Sequence, residues 1–292
     1  MTSLGAVFRP QLPPERLRDV VRVAEGVGLE ELWLWEDCFR EGGISTAAAA
    51  LAWSERMRVG VGLLPVPLRN VAVTAMEVAA LHRMFPGRAV VGVGHGVQDW
   101  MGQVGARADS PLTLLREHLD ALRALLRGER LTVGGRYVHL DDVALDWPPA
   151  GPVEVLAGAE GPRTLRLSGA AADGTVLTAA TSPDRVRRAL RLIEEGRLAA
   201  GRDAGEPHRV VVYLLTATGP DAPARLRAEL AAEGLESVPD LGVAGDAGAV
   251  AKAVQRLVEA GADTVILQPT ADEPDPEAFV RFTAEEVRPL VP

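Results

Sequence analysis

Eight short apolar runs are spaced along the chain: LGAVF (4–8), LWLW (32–35), VGVGLL (59–64), AVVGV (89–93), VEVLA (153–157), TVLT (175–178), VVVYLLT (210–216) and TVIL (264–267). Most are continuous rather than alternating. A strand in a sheet with one wet face alternates in polarity, whereas a parallel strand covered on both faces does not, so these runs predict a buried parallel sheet. Between them apolar positions recur at helical spacing, as in Leu17, Val20, Val21, Ala24 and Val27, and again in Leu115, Leu119, Leu122 and Leu126. Ser110-Pro111, Ser182-Pro183 and Asp275-Pro276 each set a capping side chain before a proline whose missing N–H a first helical turn does not need. Strand and helix alternate throughout.

Eight such units in 292 residues match an α/β fold of the (β/α)8 TIM-barrel type, about 250 residues before insertions. The surplus has two places to go. LTVGGRYVHL (131–140) reads as a small hairpin around Gly134-Gly135 inserted before strand five, and segment 220–244 reads as an extra helical insertion after strand seven, ahead of a helix starting near Asp246. DWPPAGP (146–152) is a loop rather than a linker, so a single domain over 1–292 is expected.

A doubly wound open sheet would show the same alternation. Its usual companion is a dinucleotide-binding glycine motif, for which AVVGVGHGVQDW (89–100) is the candidate. Counting G-x-G-x-x-G from Gly92 puts Val97 at the third glycine, and counting from Gly94 puts Asp99 there, so the motif fails. A polar loop containing Gly102 and Gly105 is expected to run from there to the helix start at Ser110.

A formal charge of −9 and 4% aromatic residues argue against nucleic acid, which calls for a basic face and stacking rings. No apolar run approaches membrane-spanning length, and no basic segment leads a signal-like stretch at the N-terminus. The single Cys38 excludes an intrachain disulfide and fits a reducing compartment, so a cytoplasmic protein is expected. The five histidines are scattered, without H-x-x-x-H spacing or paired cysteines, and no metal site is expected.

In such a barrel the chemistry sits at the C-terminal ends of the strands. The residues there include Glu36, Asp37 and Cys38 after strand two, Gly62 and Leu63 at strand three, Gly94, His95 and Gly96 after strand four, and Gln268 after strand eight. After strand five, Gly158, Ala159, Glu160 and Gly161 precede Pro162 as a first helical residue, so free N–H groups and a positive helix end point at the barrel mouth, where a phosphate would fit. The same glycines would also serve a tight turn. Glu36 and Asp37 can hydrogen-bond a polar ring edge, or exchange a proton if burial raises their pKa. His95 is either a loop histidine bonded to backbone or an acid–base group. Trp33 and Trp35 read as core, Trp100 as a residue that could cover a ligand.

Together GLEELWLWEDCF, RVGVGLLPVPLRN, FPGRAVVGVGHG, AGAEGPRTLRLSGAAADG and EAGADTVIL, in this order and spacing, resemble the luciferase-like flavin-dependent oxidoreductases over nearly the whole chain. The resemblance is greatest to the branch using the deazaflavin coenzyme F420, which includes methylenetetrahydromethanopterin reductase and F420-dependent glucose-6-phosphate dehydrogenase. It implies an enzyme that moves a hydride between F420 and a small organic substrate. It also implies a non-prolyl cis peptide at Gly62–Leu63 against the cofactor ring, the cofactor phosphate on Gly158, Ala159, Glu160 and Gly161, Gly94 lining the cofactor cavity, and Asp37 at the polar ring. Relatives of the glucose-6-phosphate dehydrogenase type carry histidine where this chain has Cys38, which leaves His95 or Glu36 for a proton. Arg163 and Arg69 would suit the cofactor's negatively charged tail, and a homodimer is the common assembly. An FMN-dependent monooxygenase of the same fold, and a flavin-binding protein without turnover, are the alternatives.

Overall fold

The computed structural model describes residues 2–179, 181–203 and 205–291. Its strands are β1 (Ser3–Val7), β2 (Glu31–Leu34), β3 (Arg58–Pro65), β4 (Ala89–Gly94), β5 (Leu131–Gly134), β6 (His139–Val143), β7 (Val155–Gly158), β8 (Gly174–Leu177), β9 (Arg209–Ala217), β10 (Gly242–Ala244) and β11 (Thr264–Pro269). Helices α1 (Leu17–Gly26), α2 (Gly43–Ala52), α3 (Val71–Met84), α4 (Gln98–Gln103) and α5 (Pro111–Leu126) occupy the first half. Helices α6 (Pro162–Ala171), α7 (Pro183–Ala199), α8 (Ala222–Ala232), α9 (Ala247–Glu259) and α10 (Pro276–Arg281) follow.

Parallel pairings run β1-β2-β3-β4-β7-β8-β9-β11 and return to β1, which closes an eight-stranded barrel. The predicted runs are its strands, each within a residue or two. β5 and β6 form the expected antiparallel hairpin before the fifth barrel strand, β7. Its turn is held by Glu117 of α5, whose carboxylate accepts from the amides of Arg136, Tyr137 and Val138. The insertion after the seventh barrel strand contains α8 as expected. It also contains β10, which pairs with the end of β9 beyond the point where β8 stops.

Burial divides the core in two. One apolar layer lies between barrel and helices; the other fills the barrel with Val7, Trp33, Val90, Leu156, Val176, Val211, Tyr213 and Ile266. Trp33 is fully buried, and a Cβ on Gly60 would overlap its indole, so glycine is what lets β3 pass so large a side chain. Below it, Glu31 accepts from Trp33 Nε1 at 2.9 Å and pairs with Arg209 at 2.5 Å and Arg58 at 3.0 Å. A buried carboxylate needs such partners.

Ser182, Asp246 and Asp275 cap α7, α9 and α10 through their side chains. Ser110 does not: its hydroxyl bonds Thr113 Oγ1 at 2.8 Å and its amide donates to the Tyr137 hydroxyl. The polar loop expected after β4 is also interrupted by α4, whose Met101 is buried as an apolar anchor.

Candidate active site

A cavity of about 860 Å³ opens at the C-terminal end of the barrel. Its floor and one wall come from β3, where the register with β4 jumps from Val61 to Leu64 and leaves Gly62 and Leu63 in a bulge. The Gly62–Leu63 peptide is cis, as the resemblance implied, and a second non-prolyl cis bond joins Cys38 to Phe39. The Leu63 side chain lies across the two neighbouring strand ends. A Cβ on Gly94 would come within 2.6 Å of Leu63 Cδ2, and one on Gly158 would overlap it. Gly94 is buried under Leu63 rather than on the cavity wall, whereas Gly62, Leu63 and Gly158 line it.

The loop after β7 reaches the cavity with Ala159, Glu160 and Gly161, and α6 begins there with Gly161 as N-cap and no capping side chain. The Ala159 amide is engaged by the Val176 carbonyl at 3.2 Å. Among the described residues the amides of Glu160, Gly161, Arg163 and Thr164 have no backbone partner, so the helix presents donors and its positive end. The Glu160 carboxylate accepts from Thr178 Oγ1 at 2.8 Å. Arg163 is exposed and makes no ion pair among the described residues.

The two adjacent acids differ. Glu36 is locked: Arg69 reaches both of its oxygens, at 2.9 and 2.6 Å, and the first amide of α2, on Gly43, donates to it at 2.8 Å. The same arginine bonds Glu77 at 2.5 Å, so Arg69 is engaged with carboxylates on two sides rather than open to a ligand. Asp37 has no side-chain hydrogen bond or ion pair among the described residues and faces the cavity. Burial pushes its pKa upward, and Arg40 and Arg9 hold it back. Cys38 is not on the wall.

His95 lines the cavity, with Nε2 3.1 Å from Thr164 Oγ1. Its Nδ1 is buried without a partner in hydrogen-bonding geometry. Burial lowers its pKa, and the nearby Pro111 carbonyl opposes the shift; no charged side chain contributes. Burial therefore favours the neutral ring.

Residues 4–233 match the family described as luciferase-like monooxygenase. The chain belongs to that family. Over 204 residues it is 30% identical to 5,10-methylenetetrahydromethanopterin reductase of Methanolobus tindarius, covering 70% of this chain and 62% of that protein. It is also 30% identical over 220 residues to F420-dependent glucose-6-phosphate dehydrogenase of Kineococcus radiotolerans, covering 70% and 65%. The chain thus matches less than two thirds of the length of either relative. A solved structure, F420-dependent secondary alcohol dehydrogenase in complex with an F420-acetone adduct, shares the fold with a TM-score of 0.87 over 100% of this chain and 99% of that one, at 22% identity.

In this luciferase-like barrel several wall residues lie outside the sequence expectations. Trp35, expected in the core, is half-buried on the cavity wall, with the Arg9 guanidinium 5.1 Å above its ring. Arg9 is itself buried and bonded to Gln11, the Pro269 carbonyl and Glu229 of α8. Tyr213, on β9, and Glu233, just past α8, line the cavity too. Arg9 directly follows the first apolar run, so the strand-end rule that found Glu36 and His95 applies to it as well. Glu233 carries no such signal, because only the path of the insertion brings it over the mouth. Trp100 and Gln268 line the cavity as expected.

Proposed function

We propose that this chain is an F420-dependent oxidoreductase that transfers a hydride between the deazaflavin and a small organic substrate held above it in the barrel mouth. The observation that carries the reading is the pairing of the Gly62–Leu63 bulge with the uncapped α6 terminus across one cavity. A flat ring against the first would set its phosphate at the second. The family resemblance and the F420-dependent names among its relatives and fold neighbours support the same choice.

The residues present fit the cofactor. The amides of Glu160, Gly161, Arg163 and Thr164 would hold the phosphate, Gly62, Leu63 and Gly158 would back the ring, and Asp37 would take its polar edge. Arg163 is the basic residue open to a charged tail. When bound, the cofactor supplies a two-electron donor or acceptor, and the protein supplies position. Leu63, Trp35 and Trp100 exclude water from the ring side, and His95, neutral at working pH, would accept a proton from substrate. Glu36 would hold Arg69 and the start of α2 in place.

The same reading includes a cytoplasmic homodimer. Val73, Met76 and Met84 are exposed on one face of α3, an apolar stripe suited to a second copy. Light scattering after size exclusion tests that assembly. Titration of the apo-protein with F420 and with FMN, followed by tryptophan fluorescence, tests the cofactor. F420 is expected to bind at least about tenfold tighter; equal or reversed affinities favour an FMN-dependent monooxygenase.

A further inference from the structure

Tyr213 stands at the cavity floor, where its hydroxyl donates to the Gly62 carbonyl at 3.2 Å. That carbonyl lies in the bulge, outside the β3–β4 register, so the phenol supplies what the neighbouring strand does not. The space is fully used. A Cβ on Gly62 would overlap the Tyr213 oxygen and come within 2.9 Å of the Trp33 ring. The phenol ring is fixed between two indoles, 5.8 Å from Trp33 and 5.7 Å from Trp35. Trp35 Nε1, buried and without a partner of its own in hydrogen-bonding geometry, lies beside the same hydroxyl.

Burial pushes the Tyr213 pKa upward, and the charges of Asp37 and Glu31 add to it. The phenol is therefore a permanent donor and not an acid at working pH. What it holds extends beyond one carbonyl. Leu63, the next residue, spans Gly94 and Gly158, so the position of the bulge is passed to the ends of β4 and β7.

We propose that Tyr213 is a positioning residue: its hydrogen bond to Gly62 fixes the bulge, and through Leu63 the wall against which the cofactor ring lies. The part concerning the ring rests on the F420 reading above; the hold on the bulge does not.

Tyr213→Phe keeps the ring between its two indoles and deletes only the oxygen. Val211→Ala, on the same strand in the same inner cluster, is the control for simple loss of packing. Hydrogen exchange of segment 59–68 in the cofactor-free protein is the first readout. It is expected to quicken about tenfold in Tyr213→Phe, with the 131–143 hairpin unchanged, and to stay at the wild-type rate in Val211→Ala. The second readout is F420 itself, whose dissociation constant is expected to rise about tenfold in Tyr213→Phe, with its bound absorption maximum moving toward that of free F420. Wild-type exchange in 59–68 overturns the proposal, even if the melting temperature falls, because a lower melting temperature alone marks a structural role. Faster exchange with an unmoved F420 spectrum and affinity overturns the ring part. If wild-type protein binds no F420, the functional reading fails while the exchange result still decides whether Tyr213 holds the bulge.

Discussion

The Thr164 hydroxyl sits 3.1 Å from His95 Nε2 and so ties the end of β4 to the first turn of α6, the place where a phosphate would be held. Which of the two donates depends on the imidazole tautomer.

Because burial lowers the His95 pKa from its usual value of about 6.5, a role as base predicts kcat that is flat through neutrality and falls at lower pH. His95→Gln is expected to lower kcat roughly 100-fold and to abolish that acidic limb, with F420 affinity little changed. Near-normal kcat with an unaltered pH profile would leave His95 as a loop residue fixed by Thr164. A pH–rate series on both proteins decides.

Removing Arg69 leaves two carboxylates facing each other without their common partner. Arg69→Met is expected to cost about 3 kcal/mol in urea unfolding, the usual penalty for breaking a largely buried pair. Glu36→Gln, which can still accept from the Gly43 amide, is expected to cost less than half as much. Equal costs would show that the Glu36 charge, and not the joint hold of Arg69 on Glu36 and Glu77, carries the stability.

Gly158 and Gly161 should behave differently although both were expected to serve the phosphate. A methyl at Gly158 displaces Leu63, whereas one at Gly161 meets nothing within 4 Å and suits its φ of −77°. Gly158→Ala is therefore expected to shift the absorption of bound F420 as the ring wall moves. Gly161→Val should leave the far-ultraviolet dichroism native while weakening F420 binding about tenfold by crowding the open amides. If calorimetry gives wild-type affinity for Gly161→Val, the phosphate lies elsewhere.

Buried His118 and half-buried His208 make the fold sensitive to acid. Burial, with Arg69 for His118 and with Arg197 and Arg202 for His208, lowers both pKa values to about 4. Below about pH 6.5 the unfolded chain takes up these protons and the native one does not until about 4, so stability falls as pH drops through that window. Urea unfolding between pH 7 and 5 should show His118→Gln with a slope smaller by about one proton than wild type. An unchanged slope would mean that His118 takes up its proton in the native state over the same pH range as in the unfolded chain.

The barrel strands were legible because burial on both faces writes an unbroken apolar run, a one-dimensional signal. β10 was not: three half-buried residues leave no such run, and only the overhanging end of β9 gives them a partner. In the site, Asp37, Leu63 and the loop at Gly161 follow from strand-end position. The engagement of Glu36 does not, since Arg69 lies 33 residues away and their pairing exists only in three dimensions. Gly94 was misplaced for a related reason. Its bareness is read in the sequence as room for a ligand, but Leu63 from the adjacent strand takes that room. Trp35 is separated from Trp33 by one residue and points to the same side, yet it rises past the filled core into the cavity.

Trp33 fills the barrel between Gly60, Gly62 and Tyr213, above the Glu31 ion cluster. Among the described residues, this indole and its inner cluster fill the barrel beneath the cavity. On the proposed function, cofactor and substrate share the mouth at the C-terminal end of the barrel, with the cofactor ring the deeper of the two. In kinetic terms the indole imposes a queue: substrate in excess should trap cofactor already inside, and cofactor exchange should slow as substrate concentration rises.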